Sequence, residues 1–133
     1  MGSGRSELAW GIMGLRKPRA GTVSVLGRRI RIGDPAAAIE AGLAYVPEDR
    51  QNQGLAMQMN VEENLTLAIL NSLCRGPFLS VSLRRSRAAE LMRRFDVRAA
   101  SLKVGVKSLS GGNQQKVVVG RWLARQPKAL ILD

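Results

Sequence analysis

The sequence predicts an α/β fold, in which strands and helices alternate at the two ends of the chain and helices fill the middle. Two short apolar stretches, 43–46 and 129–133, have the length and composition of buried strands, and the second ends in an aspartate. Helical periodicity runs over 61–73 and again over 82–95, where apolar residues recur every three or four positions. Because no strand pattern separates those two stretches, the sequence predicts an all-helical insert.

The first third of the chain carries a predicted β hairpin. Residues 22–26 and 29–32 alternate apolar and polar side chains around Gly27 and Arg28, which is typical of two antiparallel strands joined by a tight turn. The glycine-rich start of the chain leads into a predicted helix, which Gly14 can end because glycine readily adopts the left-handed conformation there.

Polar residues mark where the next helices begin. Asp34 followed by Pro35 predicts a short helix, which Gly42 ends. Asn60 is placed to cap the helix over 61–73, whose first turn holds two glutamates that the helix dipole favours.

Composition limits the function classes. A chain of 133 residues fits one domain at most, and no apolar run approaches the ~20 residues of a membrane-spanning helix. The single Cys74 excludes an intrachain disulfide and suits a reducing cytoplasm.

The net charge is +11, but basic residues are scattered along the chain and aromatic residues make up only 4% of it. We therefore expect no specific nucleic-acid binding, and a basic nucleic-acid module stays a minor third hypothesis.

The run Leu109-Ser-Gly-Gly-Asn-Gln-Gln-Lys116 is the most informative segment. Its two adjacent glycines expose backbone N–H groups at the start of a predicted helix that continues to about Arg125. Amides at a helix N-terminus, together with the helix dipole, favour an anion, and Ser110 adds a hydroxyl. A glycine turn that only caps a helix is the alternative for the Ser-Gly-Gly triplet alone.

This run resembles the signature motif of ABC transporter ATPases, in the form found in monosaccharide importers, and Ala129–Asp133 resembles their Walker B strand. The resemblance covers essentially the whole chain and implies the second of the two nucleotide-binding domains of such an ATPase, truncated at both ends. It implies a core fragment of the P-loop NTPase fold, with an antiparallel hairpin and an inserted helical subdomain. It assigns Ser110, Gly111 and Gly112 to the γ-phosphate of ATP held by a partner domain, and it adds Gln114 to the nucleotide contacts.

The N-terminal Gly4-Arg5-Ser6 resembles the end of a P-loop in which Arg5 replaces the usual lysine. The resemblance assigns Gly2, Gly4, Arg5 and Ser6 to the phosphates of the chain's own ATP. Ser6 and Asp133 would hold Mg²⁺. Since a flat guanidinium cannot reproduce a compact ammonium, we expect this site to be slow or silent in hydrolysis.

The segment Tyr45-Val-Pro-Glu-Asp-Arg50 resembles the position where ABC ATPases place a glutamine that links Mg²⁺ and the attacking water to the membrane subunits. Glu48 would take that catalytic role, although an exposed turn is the alternative. Met57, Met59 and Leu65 would line the groove for a membrane subunit, or belong to the core.

The resemblance divides the chain into 1–54 (P-loop remnant, hairpin and glutamine-loop-like segment), 55–115 (helical subdomain ending in the signature) and 116–133 (signature helix and Walker B strand). It implies a second nucleotide-binding domain and permease subunits as partners, a periplasmic sugar-binding protein acting indirectly, and a peripheral location on the cytoplasmic face of the inner membrane.

Hydrolysis itself is uncertain from these residues. The family's general base is a glutamate directly after the Walker B aspartate, here beyond Asp133, and its switch histidine has no counterpart because the chain contains no histidine. A truncated or degenerate ABC domain without hydrolytic activity, in a binding or structural role or as a gene remnant, is therefore the alternative hypothesis.

Overall fold

The computed structural model describes residues 4–133. In chain order the elements are α1 (Arg5–Ile12), β1 (Val23–Val25), β2 (Arg28–Ile30), α2 (Pro35–Glu40), β3 (Leu43–Val46), a π-helical turn (Arg50–Gly54), α3 (Val61–Thr66), a 3-10 segment (Leu67–Leu73), β4 (Cys74–Arg75), β5 (Phe78–Leu79), α4 (Val81–Arg94), a 3-10 turn (Val106–Ser108), α5 (Gly111–Leu123) and β6 (Ala129–Leu132). No helix among these described residues is long and apolar enough to cross a membrane.

The chain forms two compact units, each described by itself. The sheet unit contains the N-terminal part through Glu48 together with Gln126–Asp133, and the helical unit contains Asp49–Arg125. The predicted alternation of strand and helix is found in the sheet unit, and the predicted helices are found in the helical unit.

The centre of the sheet unit is a parallel pair of strands. β3 runs beside β6 with Leu43 opposite Ala129 and Val46 opposite Leu132, and every residue of β3 is buried. Parallel strands end at the same edge of a sheet, so the residues after β3 and after β6 meet there. The core around this pair consists of buried side chains from α1 and its C-cap residue, the hairpin, α2 and β3: Ala9, Met13, Val25, Ala38, Leu43 and Tyr45.

The predicted hairpin is present, but its turn lies one residue earlier than predicted. Val25 pairs with Arg28, so Leu26 and Gly27 form the two-residue turn, with φ angles of 48° and 79°. Positive φ at both turn positions matches the right-handed twist of the strands. Arg28 therefore belongs to β2.

The predicted caps of α2 and α3 are found. The Asp34 side chain accepts a hydrogen bond from the Ala37 amide. Asn60 and Glu63 form a reciprocal capping box at the start of α3. The α-helix ends at Thr66, earlier than the predicted Leu73, where the Thr66 hydroxyl donates to the Glu62 carbonyl at 2.8 Å and competes with the regular ladder.

The helical unit is not wholly helical, so that part of the prediction is wrong. β4 and β5 form a very short antiparallel hairpin around Gly76 and Pro77. Strands of two residues are too short to show an alternating pattern, so no pattern of apolar and polar residues predicted them.

The helices α3, α4 and α5 share one core, where Leu65 is fully buried. Leu65 is thus a core residue, whereas Met59 is 39% exposed, and its place in a groove for a membrane subunit stays a prediction.

Candidate functional site

The start of α1 and the end of β6 meet at the carboxyl edge of the sheet unit. The Ser6 hydroxyl donates to Asp133 Oδ1 at 2.9 Å, although 127 positions separate the two residues in sequence. Both were predicted to hold the same metal ion, and the fold brings them into contact. Asp133 follows β6 directly, because the strand ends at Leu132.

Two aromatic residues that the sequence analysis missed hold the other oxygen of Asp133. The Tyr45 hydroxyl donates to Asp133 Oδ2 at 2.9 Å, and Trp10 Nε1 donates to the Tyr45 hydroxyl at 3.0 Å. Burial raises the pKa of Tyr45, and its hydrogen bond to Asp133 raises it further. The signal was present in the sequence: a tyrosine in a buried strand needs a polar partner for its hydroxyl.

A cleft of about 590 Å³ opens at this edge. Its lining includes Gly4, Arg5, Ser6, Glu48 and Asp133, which are the residues predicted to contact the chain's own nucleotide. The remaining predicted phosphate contact, Gly2, lies outside the described residues.

Gly4 adopts φ 72° at the start of α1, where an added Cβ would meet nothing within 4 Å. A positive φ with open space beside it suits a backbone that approaches a ligand closely. Glu7 also lines the cleft, and it forms an exposed ion pair with Arg16 at 2.9 Å.

The predicted signature residues lie at the start of α5 in the helical unit. Ser110 occupies the N-cap position, yet its hydroxyl caps no backbone amide and instead accepts a hydrogen bond from Asn113 Nδ2 at 3.0 Å. Ser110 and Gly112 are both exposed. The first amides of α5 and the Ser110 hydroxyl can therefore reach an anion outside the chain.

The two glycines of this turn have different surroundings. A Cβ on Gly112 would meet nothing within 4 Å, whereas a Cβ on Gly111 would lie 2.6 Å from Arg50 Nη2. Open space for a ligand is thus found beside Gly112, and a side chain of the same unit covers Gly111.

Gln114 and Lys116 have partners within the helical unit. Gln114 is 3% exposed; its Nε2 donates to the Val106 carbonyl at 3.2 Å, and its Oε1 accepts from Gln51 Nε2 at 3.3 Å. A direct contact of Gln114 with nucleotide stays a prediction. Lys116 Nζ lies 2.7 Å from Asp96 Oδ2.

The chain is similar in sequence to known proteins over its full length. The family model described as "ABC transporter" matches residues 1–133. The ribose import ATP-binding protein RbsA of Jannaschia sp. (strain CCS1) is 47% identical over all 133 residues, and RbsA 3 of Rhizobium etli is 48% identical over the same length. The chain spans 26% of the length of each of these two relatives.

Solved structures show the same fold. A dimeric bacterial ABC transporter cassette matches with a TM-score of 0.76 and 27% identity, over all of this chain and 56% of the other. A dimeric ATP-binding cassette in a post-hydrolysis state, bound to ADP and Pi, matches with a TM-score of 0.74 and 26% identity, over 98% of this chain and 56% of the other.

Fold and site together define a nucleotide-binding protein of the P-loop NTPase class. Within that class, the chain belongs to the ABC transporter family.

Proposed function

We propose that this chain is part of an ATPase subunit that drives import of ribose or a similar monosaccharide. The contact between Ser6 and Asp133 carries the proposal, because it places two oxygen ligands together in an open cleft at the edge of the sheet. The sugar class comes from the relatives, whose names describe ribose import.

The residues in the cleft fit a magnesium nucleotide. Mg²⁺ prefers oxygen ligands and is commonly held by one or two protein groups together with phosphate oxygens. The Ser6 hydroxyl and the Asp133 carboxylate would hold the ion. Gly2, Gly4 and Arg5 would contact the phosphates, and the ion would neutralise the charge that develops on them.

Glu48 and the signature turn would act at two different nucleotides. Glu48, exposed at the rim of the cleft, would orient water at this chain's own nucleotide and respond to the permease subunits. Ser110 and Gly112, exposed in the helical unit, would close over ATP held by a second nucleotide-binding domain, with Gly111 between them. This arrangement would place the protein at the cytoplasmic face of the membrane, with a periplasmic sugar-binding protein acting through the permease.

The function is tested by transport. In proteoliposomes that contain the full-length protein, its permease and its binding protein, we expect ribose to stimulate ATP hydrolysis and uptake of labelled ribose. Stimulation by a different solute class, such as an amino acid, without stimulation by any monosaccharide would contradict the sugar assignment.

Arg5 favours a second version of the function, in which this chain's own site binds ATP but hydrolyses it slowly. Arg5→Lys in the full-length protein should raise single-turnover hydrolysis by about tenfold, since a compact ammonium fits the phosphates better and each tenfold corresponds to ~1.4 kcal/mol of barrier. Arg19→Lys, at an exposed position, is the matched control. An unchanged rate with Arg5→Lys, while ATP still binds, would favour the degenerate, non-hydrolytic alternative.

A further inference from the structure

Arg50 lies against the signature turn from within the same unit. Its Nη2 atom is 2.6 Å from the point where a Cβ on Gly111 would stand, and its Nε donates to Gln114 Oε1 at 3.5 Å. The absence of a side chain at Gly111 is therefore what allows the guanidinium to reach the start of α5.

The backbone around Arg50 is fixed in place. Asp49 caps the π-helical turn, since its Oδ1 accepts from the Gln51 and Asn52 amides at 3.2 and 3.1 Å. The turn ends at Gly54, where a Cβ would lie 3.1 Å from Val118 Cγ2 of α5. The turn is thus packed on the same helix that begins with the signature glycines.

Hydrogen bonds from Asn52 are the larger cause of the lowered pKa of Asp49, and the charge of the adjacent Arg50 helps to lower it. Among residues 4–133, the ion pairs of the structure do not include Arg50. Its half-buried guanidinium stands beside the N-terminus of a 13-residue helix, where the dipole already favours negative charge. Two positive potentials at one place repel each other in the free protein, and an anion placed there relieves the repulsion.

We propose that Arg50 is the positioning residue of the signature turn: it fixes Gly111 and Gln114, and it supplies the cationic charge beside the exposed Ser110 hydroxyl and Gly112 amide. The ligand class is the terminal phosphate of a nucleoside triphosphate. This inference rests on the proposed function and adds a residue to it.

The contact between Arg50 and Gly111 can be tested with a double mutant. In the full-length protein within its transport complex, Arg50→Ala should lower kcat/KM for ATP by about tenfold, the usual loss for a charge-assisted contact. Gly111→Ala should have a similar effect, because the new methyl group displaces the guanidinium. Since both changes remove one interaction, the double variant should lie within about twofold of Arg50→Ala alone.

Three further measurements separate positioning from simple loss of structure. Arg50→Lys keeps the charge and should recover part of the activity. Equilibrium binding of ADP, which lacks the terminal phosphate, should stay within about twofold of the parent protein in every variant. A methyl group on Gly112 would meet no atom of the described chain and would instead occupy the space proposed for the ligand. The losses of kcat/KM from Gly112→Ala and Arg50→Ala should therefore multiply in the double variant.

The outcomes distinguish failure of the Arg50 inference from failure of the proposed function. If Ser110→Arg abolishes ATP hydrolysis while Arg50→Ala leaves kcat/KM unchanged, the role of Arg50 is overturned and the proposed function stands. If the losses of kcat/KM from Arg50→Ala and Gly111→Ala multiply to about 100-fold in the double variant, the two residues do not act through one contact and the inference also fails. If Ser110→Arg has no effect, the proposed function itself fails.

Discussion

Asp133→Asn should weaken Mg²⁺-dependent ATP binding by roughly 100-fold, because it removes a charged group that the fold holds at the mouth of the cleft. Both oxygens of this carboxylate are already oriented, one by Ser6 and the other by Tyr45. The measurement is calorimetric titration of ATP into the full-length protein at several Mg²⁺ concentrations, with Mn²⁺ affinity from electron paramagnetic resonance as a readout independent of hydrolysis.

The same titrations measure how much Tyr45 and Trp10, which form a hydrogen-bond chain to Asp133, contribute to metal affinity. Tyr45→Phe removes one hydrogen-bond donor and keeps the ring, so we expect metal affinity to fall by about tenfold, as for other groups that orient a ligand. Trp10→Phe acts one step further away through the Tyr45 hydroxyl and should have a smaller effect. A Tyr45→Phe protein with unchanged Mn²⁺ affinity would contradict the orienting role of this tyrosine.

Asn64→Ala should destabilise the helical unit by roughly 3–5 kcal/mol, since it leaves one nitrogen of a buried guanidinium and one backbone amide without an acceptor, at ~1–3 kcal/mol each and more for the charged group. Asn64 is fully buried, and its Oδ1 accepts from the Ala56 amide at 3.0 Å and from Arg121 Nη2 at 2.6 Å. Its Nδ2 also donates to the Ala56 and Asn60 carbonyls. Removing the side-chain amide leaves the Ala56 backbone amide without its acceptor, whereas the Ala56 and Asn60 carbonyls keep their backbone donors.

Arg121 explains the size of the effect. This arginine is 8% exposed, and burial lowers its pKa to about 10. Hydrogen–deuterium exchange of the full-length protein measures the local stability: protection of amides in α3 and α5 should fall by roughly 100- to 4,000-fold, at ~1.4 kcal/mol per factor of ten. The control is Asn71→Ala at an exposed position, which should change stability by less than about 0.5 kcal/mol. Equal protection in the two variants would contradict the network.

The elements that depend on residues close together in sequence were predicted. β3 was predicted at 43–46, where it is found, because four consecutive apolar residues lie between a glycine and a proline. The caps at Asp34 and Asn60 follow from side chains that bond to amides three residues away. The predicted signature and the predicted end of the P-loop are contiguous motifs, so a short window of sequence contains each of them.

Contacts between distant parts of the chain left no such signal. Tyr45 and Asp133 are 88 positions apart, and Arg50 and Gln114 are 64 apart, so no window of sequence contains either pair. The inward orientation of Gln114 could have been predicted, however. It shares a helical face with Val117, Val118 and Arg121, all of them buried, at the spacing of a core stripe.

The most direct measurement of the central claim is a cryo-EM structure of the full-length protein in its transport complex, with Mg²⁺ and a nonhydrolysable ATP analogue. We predict that Asp133 and Ser6 contact the metal of one nucleotide. The Ser110 hydroxyl and the Gly112 amide should lie within hydrogen-bond distance of the γ-phosphate of another, held by a second nucleotide-binding domain. A structure in which Ser110 and Gly112 face solvent while both nucleotides are fully bound would contradict the account.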